Sequence, residues 1–245
     1  MKKTALPILT LCIASLQPFG ALAYQVVPVD NGGRISGKVS FEGTDPAPRQ
    51  FTVAKDADTC GSGTRSIDFV RVNDGALTDA VVYLHKVKAG KDFPADIANA
   101  ELNQERCDFK PFLGVMKNGE QLTVRNSDPV LHNIHTYEII GRARKTVFNI
   151  SQPGDLKTIR KQVKLKRGSA MKVECDAHDF MHSFTFVAKN PYFAVVGEDG
   201  SFSIDDVPPG TYKIRAWHGT LGEKKGTVTV EAGSTARIDF VFKGK

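Results

Sequence analysis

Three kinds of metal-binding side chain lie within one short segment of the sequence, "CDAHDFM", which runs from Cys175 to Met181. Two residues separate Cys175 from His178 and His178 from Met181, a spacing that can turn all three side chains toward one point. Thiolate, imidazole and thioether are soft to borderline ligands, and with a second imidazole they form the set that suits copper. The segment therefore predicts a copper site, since zinc gains little from Met181.

A second imidazole is available in "NSDPVLHNIHTY", where His132 follows the alternating segment "EQLTVRN". Neighbouring strand ends of a β-sandwich can bring two such loops together, so we predict that His132 completes the ligand set. His135 and His182 lie close in sequence to the proposed ligands. Three interpretations stay open for them: a second, more exposed copper site, a role in carrying electrons or protons to a partner, or ordinary surface histidines.

Cys175 also has alternatives to metal binding. It could form a disulfide with Cys60 or Cys107, but one of these three cysteines must stay unpaired. Cys60 in "DTCGSG" and Cys107 in "ERCDF" lie in loop-like segments poor in metal ligands, so we predict a Cys60–Cys107 disulfide. A catalytic pair of Cys175 and His178 lacks an evident orienting acid and oxyanion donors. The sequence therefore predicts a binding protein and not an enzyme.

The segments that must position these residues have the pattern of short β-strands. Gly and Pro interrupt the chain at short intervals, and runs such as "RISGKVSF", "EQLTVRNSD" and "SAMKVECD" alternate between apolar and polar residues. "DAVVYLHKV" is apolar enough for a buried strand, and the best helix candidate runs only from Pro94 to Cys107. Short strands at this spacing predict an all-β protein built of β-sandwiches.

"NSDPVLHNI", followed further along the chain by "CDAHDFM", resembles the cupredoxin family, and the short metal loop is most similar to the amicyanin type. The resemblance implies a Greek-key β-sandwich with one type 1 copper for electron transfer, reached through an exposed ligand imidazole. It further implies the following roles: His132, Cys175 and His178 as equatorial ligands, Met181 as the long axial ligand, and Asn126 as the hydrogen-bonding residue between the two ligand loops. The sequence departs from the pattern at Leu131, where close relatives often have Pro.

"NPYFAVVGEDGSFSIDDVPPGTYKIRAWH" resembles a carboxypeptidase regulatory-like (transthyretin-like) β-domain, which is non-catalytic in its relatives. The predicted fold class is therefore all-β, a cupredoxin-like sandwich with extra N-terminal strands and a small C-terminal β-sandwich. The predicted divisions are a signal peptide (1–23), an N-terminal β-strand region (24–92), a cupredoxin-like copper domain (93–190) and the C-terminal β-domain (191–245). The N-terminal strands could extend the cupredoxin sheet or pair with the C-terminal strands.

The first residues of the chain have the pattern of a secretory signal peptide. A basic start at Lys2 and Lys3 precedes an apolar run, and "ALA" ending at Ala23 is typical of a cleavage site. A lipoprotein signal centred on Cys12 is disfavoured, because Leu11 stands where a small residue is expected. We therefore expect a periplasmic or secreted protein that does not span the membrane, in a compartment where disulfides persist.

Basic residues are concentrated in one part of the chain. The sequence has a formal net charge of +6, and the segment Gly141–Arg167, named here the basic strip, has nine Lys or Arg against one acid. The nine are Arg142, Arg144, Lys145, Lys157, Arg160, Lys161, Lys164, Lys166 and Arg167. The strip could be a solvated pair of strands or a docking face for an acidic redox protein such as a cytochrome. Nucleic acid is disfavoured, because no aromatic residues are interleaved for stacking.

Two functions remain open at this point. The first is one-electron transfer by a type 1 copper with a periplasmic or envelope redox partner. The alternative is a copper-handling or cell-envelope interaction protein, which the additional β-strands on both sides of the copper domain favour.

Overall fold

The computed structural model describes residues 24–244. The predicted signal peptide and the alternative lipoprotein signal at Cys12 lie outside these residues. The described chain is nearly all β, as predicted, and none of its helices is long and apolar enough to cross a membrane. Its helices are one short α-helix, α1 (Ala57–Cys60), and one 3₁₀ helix (Ala95–Asn99).

The strands are numbered in chain order. In the first half of the chain they are β1 (Gln25–Val26), β2 (Gly33–Glu42), β3 (Arg49–Thr52), β4 (Thr64–Ile67), β5 (Val72–Asn73), β6 (Ala76–Leu77), β7 (Ala80–Leu84), β8 (Ala89–Gly90), β9 (Glu101–Gln104), β10 (Phe109–Lys110), β11 (Leu113–Lys117) and β12 (Gln121–Asn126). In the second half they are β13 (His132–Ile140), β14 (Ala143–Gln152), β15 (Thr158–Gln162), β16 (Ala170–Glu174), β17 (His182–Ala188), β18 (Phe193–Val195), β19 (Ser201–Val207), β20 (Gly210–His218), β21 (Gly222–Val230), β22 (Thr235–Arg237) and β23 (Phe240–Lys243).

Two sheets from the middle of the chain form one sandwich. One sheet has the order β10-β9-β12-β15 and the other β11-β17-β16-β13-β14. Alternate residues of each strand point inward, as Leu122 and Val124 of β12 and Met171 and Val173 of β16 do. The core between the sheets also contains Cys175 and Met181, so the predicted metal loop belongs to this sandwich.

The helix predicted from Pro94 to Cys107 is wrong. Only its start is helical, as the 3₁₀ helix, and Glu101–Gln104 forms strand β9 between β10 and β12. Leu102 and Gln104 are buried while Glu101 is exposed, which is the two-residue period of a strand. The pairing with β12 on one side and β10 on the other outweighs the helical propensity of this segment.

The N-terminal strands pair with the C-terminal strands. β2 lies beside β19 and beside β22 and β23, and β7 lies between β18 and β20. The two resulting sheets enclose a second core, to which Ile35, Leu84, Ile214 and Phe242 contribute. Of the two arrangements left open by the sequence, β2 and β7 therefore adopt the pairing with the C-terminal strands.

A third apolar cluster joins the two sandwiches. Phe184 and Phe186, from the outer face of the five-stranded sheet, pack with Tyr83 of β7 and Trp217 of β20. Gly219 lies against this cluster, because a Cβ atom there would be 2.6 Å from the ring of Phe184.

The remaining N-terminal segment, residues 49–67, covers the metal end of the first sandwich and is named here the flap. It consists of β3 and β4, paired antiparallel, with α1 between them. Phe51, Val53 and Ile67 pack against the core that contains Cys175. A disulfide between Cys60 and Cys107 links the flap to the loop between β9 and β10, as predicted.

Candidate metal centre

Three predicted ligands face one another in the interior of the first sandwich. His132 Nδ1 is 3.2 Å from His178 Nδ1, and Cys175 Sγ is 3.7 Å from the same His178 atom. His132, Cys175 and His178 are 0%, 3% and 2% exposed, so water has almost no access to the group. Typical metal bonds are about 2.0–2.1 Å to imidazole nitrogen and about 2.3 Å to thiolate sulfur, so one ion can contact all three donors.

Strand pairing brings these residues together. β13 begins at His132, and Cys175 follows β16, its antiparallel neighbour, in which Val173 lies opposite Thr136. The loop from Cys175 turns back on itself. The Met181 N–H donates to the His178 carbonyl oxygen over 3.0 Å, and the Cys175 N–H donates to the Met181 carbonyl oxygen over 3.4 Å. Met181 is fully buried in the same apolar core as Cys175.

The outer nitrogen of each imidazole is bound by a carboxylate. His132 Nε2 is 2.8 Å from Asp128 Oδ2, and His178 Nε2 is 2.9 Å from Asp56 Oδ2. An ionised carboxylate only accepts hydrogen bonds, so each Nε2 carries the hydrogen and each Nδ1 presents a lone pair. Two buried lone pairs 3.2 Å apart repel each other, and a cation between them removes this repulsion. The donor set therefore fits a metal ion held by both Nδ1 atoms and the Cys175 sulfur.

Burial shifts the pKa values of His132 and Cys175 in opposite directions. It lowers the pKa of His132, against the influence of Asp128, and so favours the neutral imidazole that can act as a ligand. It raises the pKa of the Cys175 thiol, although the backbone N–H groups of Asn133, Ala177 and His178 favour the thiolate. A buried thiolate here requires a nearby positive charge, which a bound metal ion supplies.

Asn126 does not have the partners predicted for it. Its side-chain amide donates to the carbonyl oxygens of Val130, Gln152 and Pro153 and so stiffens the loop before His132. Within residues 24–244 it has no hydrogen bond to the Cys175–Met181 loop. Asn133 makes that link instead.

The Asn133 backbone N–H donates to the Cys175 sulfur over 3.3 Å, and its side-chain oxygen accepts from the Asp176 N–H over 3.3 Å. Asn133 directly follows the proposed ligand His132 in "HN", and this adjacency could have indicated its role from the sequence. Because its backbone and side chain both reach the Cys175 end of the metal loop, Asn133 fixes the sulfur relative to His132.

Asp128 and Asp56 were not identified from the sequence. Asp128 also accepts hydrogen bonds from the backbone N–H groups of Arg106 and Cys107, at 2.7 and 2.8 Å, so its position depends on the disulfide-bonded loop. Its place four residues before His132 in "NSDPVLH" was a usable signal. Asp56 lies far from every metal-ligand motif in the sequence, and only the tertiary structure brings it to His178.

The prediction of an exposed ligand imidazole is wrong for this chain. His178 is 2% exposed, because the flap places Asp56 on its outer nitrogen. Asp56 immediately precedes α1, and α1 ends at Cys60, which is bonded to Cys107. Arg65 of β4 lies over the ring of Phe180, 4.9 Å from its centroid, and donates to the carbonyl oxygens of Arg106 and Cys107. The flap is thus fixed over the metal loop at Asp56, Cys60 and Arg65.

His135 and His182 belong to none of the potential metal-binding groups found within residues 24–244. His135 stacks on Tyr137, with 4.1 Å between ring centroids, and hydrogen-bonds to Asp176. His182 packs against Phe69, and burial lowers its pKa to about 4. His135 is therefore held by stacking and hydrogen bonding, whereas His182 is held by packing and its buried Nδ1 has no hydrogen-bond partner among the described residues.

The basic strip covers β14 and β15, each of which is the last strand of its sheet, together with the turn before β14, the loop between the two strands and the segment after β15. All nine of its Lys and Arg residues are exposed. Lys157 lies at the metal end, where its Nζ donates to the carbonyl oxygen of Asp128. Arg142 and Arg144 lie at the other end, where Ile140 and Ala143 pair. The positive charge thus extends along the whole length of the sandwich.

A family model matches part of the chain. The model for polysaccharide lyase family 4, domain II, matches residues 167–238. It differs from the carboxypeptidase regulatory-like family expected for the C-terminal strands, so that resemblance stays a prediction. No curated protein sequence matches the chain.

Similar solved structures include a purple cupredoxin from Nitrosopumilus maritimus, amicyanin from Paracoccus versutus and the Cu-containing nitrite reductase from Thermus scotoductus. Their identities to this chain are 18%, 18% and 13%, with TM-scores of 0.30, 0.30 and 0.29. The alignments cover 37%, 40% and 43% of this chain, and 100%, 86% and 25% of those chains. At these scores the likenesses carry no argument about function, which rests below on the site itself.

Proposed function

We propose that this protein binds one copper ion between His132, Cys175 and His178, with Met181 as a weak fourth ligand, and acts in one-electron transfer. The observation that carries the proposal is a buried group of three donor atoms, in which His178 Nδ1 is 3.2 Å from His132 Nδ1 and 3.7 Å from the Cys175 sulfur. This nitrogen and sulfur set with a nearby thioether is the one that copper prefers over harder metals. The proposed protein is not an enzyme, since four protein ligands leave no position for a substrate.

Copper bound in this set supplies reversible exchange of one electron. The chain's own residues keep the site rigid. Asp128 and Asp56 fix the tautomer and orientation of the two imidazoles, and the Asn133 N–H holds the Cys175 sulfur. Because the group lies inside a packed apolar core, little rearrangement of ligands or water accompanies a change of charge.

The proposed partner is an acidic redox protein such as a cytochrome, attracted by the basic strip. Only the metal end of the strip is useful for electron transfer, because β14 is about 30 Å long and its other end lies far from Cys175. Lys157 and Arg160 are the exposed cations of that end. Attraction of this kind accelerates association and weakens as the salt concentration rises.

A second candidate function is copper holding, and one specific observation favours it. The flap closes over His178, and the disulfide fastens the flap, so both metal entry and partner contact at this imidazole are obstructed. A protein that retains copper benefits from such a cover, whereas an electron carrier must use another route to the surface.

We further propose that the chain is exported, as its first residues predict. A disulfide in the described part of the chain supports this, since disulfides persist mainly in oxidising compartments.

The test is metal analysis and a visible spectrum of the protein produced in the periplasm with copper supplied. One copper per chain, with an intense visible band that disappears on reduction, supports the proposal. Rapid electron exchange with an acidic cytochrome favours the carrier, and slow exchange with tight retention of reduced copper favours the holding function. A preparation that binds zinc and rejects copper would overturn both.

A further inference from the structure

A cleft of about 830 Å³ lies between the two sandwiches, away from the metal centre. One wall is the turn between β13 and β14 together with residues 167–170, and the other is formed by β20, β21 and their connecting turn. β13 runs from His132 at the metal end to Ile140 in the cleft wall, a distance of about 27 Å for a strand of this length. The cleft is therefore separate from the proposed copper site.

The lining of this cleft is strongly positive. It contains six Lys or Arg residues and one acid, Glu223. The six are Arg142, Arg144, Arg167, Lys172, Arg215 and Lys225. Glu223 is already occupied, because it accepts hydrogen bonds from Arg215 and from the Tyr83 hydroxyl. The lining therefore attracts a negatively charged ligand.

Three of the six cations are available to such a ligand. Arg144 and Lys172 are paired with Glu174, and Arg215 with Glu223. Arg142, Arg167 and Lys225 are exposed and have no ion-pair partner in the described part of the chain. They come from three separate segments of the chain: the turn between β13 and β14, the segment after β15, and β21.

The shape and chemistry of the cleft distinguish between classes of anion. A single phosphate or carboxylate group would fill only a small part of a cleft of about 830 Å³. An acidic sugar chain is disfavoured, because the aromatic rings in the lining, Tyr83, Phe184 and Trp217, are at most 6% exposed and offer no free face for a sugar ring.

An extended peptide meets these conditions. Carboxylates on alternate residues can reach separated guanidinium groups, which bind carboxylates in a planar, two-bond geometry. The strands on the two sides of the cleft, β14 and β21, are each the last strand of their sheet, and such edges are the usual docking places for extended chains.

We propose that this cleft binds an extended, acidic peptide segment of a partner protein, and that Arg142, Arg167 and Lys225 are its main charge contacts. The proposal does not depend on copper. It assigns to the chain a second docking surface, distinct from the metal end where electron exchange would occur.

The test compares two double variants of the protein that change charge equally. Arg142→Glu with Arg167→Glu alters the cleft, and Lys157→Glu with Arg160→Glu alters the metal end of the same basic strip. All four residues are exposed, so neither variant disturbs a core. Binding of fluorescently labelled hexaglutamate is measured by anisotropy, with an oligogalacturonate and inorganic pyrophosphate as competitors.

The expected result is that the cleft variant binds hexaglutamate at least about tenfold more weakly than the parent, while the metal-end variant stays within about twofold. Neither competitor should displace the peptide at equal concentration of charge. Equal weakening in both variants would show non-specific attraction and overturn the proposal. The same conclusion follows if the parent does not bind hexaglutamate, or if the oligogalacturonate or pyrophosphate binds more tightly.

Discussion

The carboxylate of Asp56 is 2.9 Å from Nε2 of His178, although 122 residues separate the two in the chain. This contact joins an N-terminal flap to a proposed ligand in the metal loop. It makes the electrostatics of the metal centre depend on a part of the chain that contains none of the ligands.

Replacing Cys175 should eliminate the metal's thiolate bond. We expect Cys175→Ser to abolish the intense visible band of the copper-loaded protein and to weaken copper binding by more than tenfold, because the hydroxyl is a poor ligand for soft metals. Visible absorption and competition with a copper chelator measure the two effects. A thiol introduced by Ser183→Cys is not expected to restore the visible band, since the Ser183 side chain donates to the carbonyl oxygen of Pro111. An unchanged band in Cys175→Ser would refute the ligand assignment.

The Asp56 carboxylate should influence copper retention. We expect Asp56→Asn to increase the rate of copper loss to a chelator by about 10–100-fold, since loss of an outer hydrogen-bond partner of a ligating His has effects of this size. Asp58→Asn, in the short helix that follows Asp56 and exposed, is the matched control and should behave as the parent. Equal release rates from the Asp56 variant and the parent would show that the flap is only a surface cover.

The disulfide should contribute to global stability and to closure of the flap. The double variant Cys60→Ser, Cys107→Ser is expected to lose about 2–5 kcal/mol of unfolding free energy, a typical cost of removing a native disulfide. Denaturant unfolding of the metal-free protein measures this loss. In the same variant, copper release to a chelator should accelerate. Faster copper release without any loss of unfolding free energy would show that the disulfide closes the flap but does not stabilise the fold.

The ring of Phe184 should make Gly219 intolerant of a side chain. Because a Cβ at this position would be 2.6 Å from the ring, we expect Gly219→Ala to destabilise the protein by about 1–3 kcal/mol. Gly114→Ala is the control, since the nearest atom to a Cβ there is 3.7 Å away. Thermal unfolding distinguishes the two variants, and equal stability would contradict close packing between the sandwiches.

His218 should make the protein less stable in acid. Burial lowers its pKa to about 4 from an ordinary value of 6.5, so between these values the unfolded chain binds a proton that the folded chain does not. Stability should therefore fall as the pH decreases from about 6.5 to about 4, by roughly 3 kcal/mol from this residue. In His218→Asn, whose side-chain oxygen can still accept from Thr220 and Leu221, the slope over this range should be smaller. An identical slope in the variant and the parent would show that residues other than His218 cause the loss of stability in acid.

Local patterns made part of this structure predictable. Two-residue alternation predicted the strands that carry Leu122, Val124, Met171 and Val173, and the poor ligand content around Cys60 and Cys107 led to the correct disulfide. The spacing of Cys175, His178 and Met181 predicted a compact loop, and its backbone hydrogen bonds close such a loop.

Contacts between distant segments were beyond local patterns. The sequences of β2 and β7 do not indicate which strands they pair with, since a buried strand is equally apolar beside any partner. The flap was missed for the same reason, because Asp56 and Arg65 resemble ordinary loop residues. The exposed imidazole was carried over from the family resemblance, and a segment outside the resembling region overrides it here.

The position of β2 has a consequence for how the chain matures. Val39 pairs with Phe240, so the first long strand obtains this neighbour only after the chain has been made as far as residue 240. Until then β2 and β7 present unsatisfied main-chain groups and apolar side chains to their surroundings. Completion of this half of the molecule is therefore a late event with widely separated contacts, and it is the step at which a chaperone would be of most use.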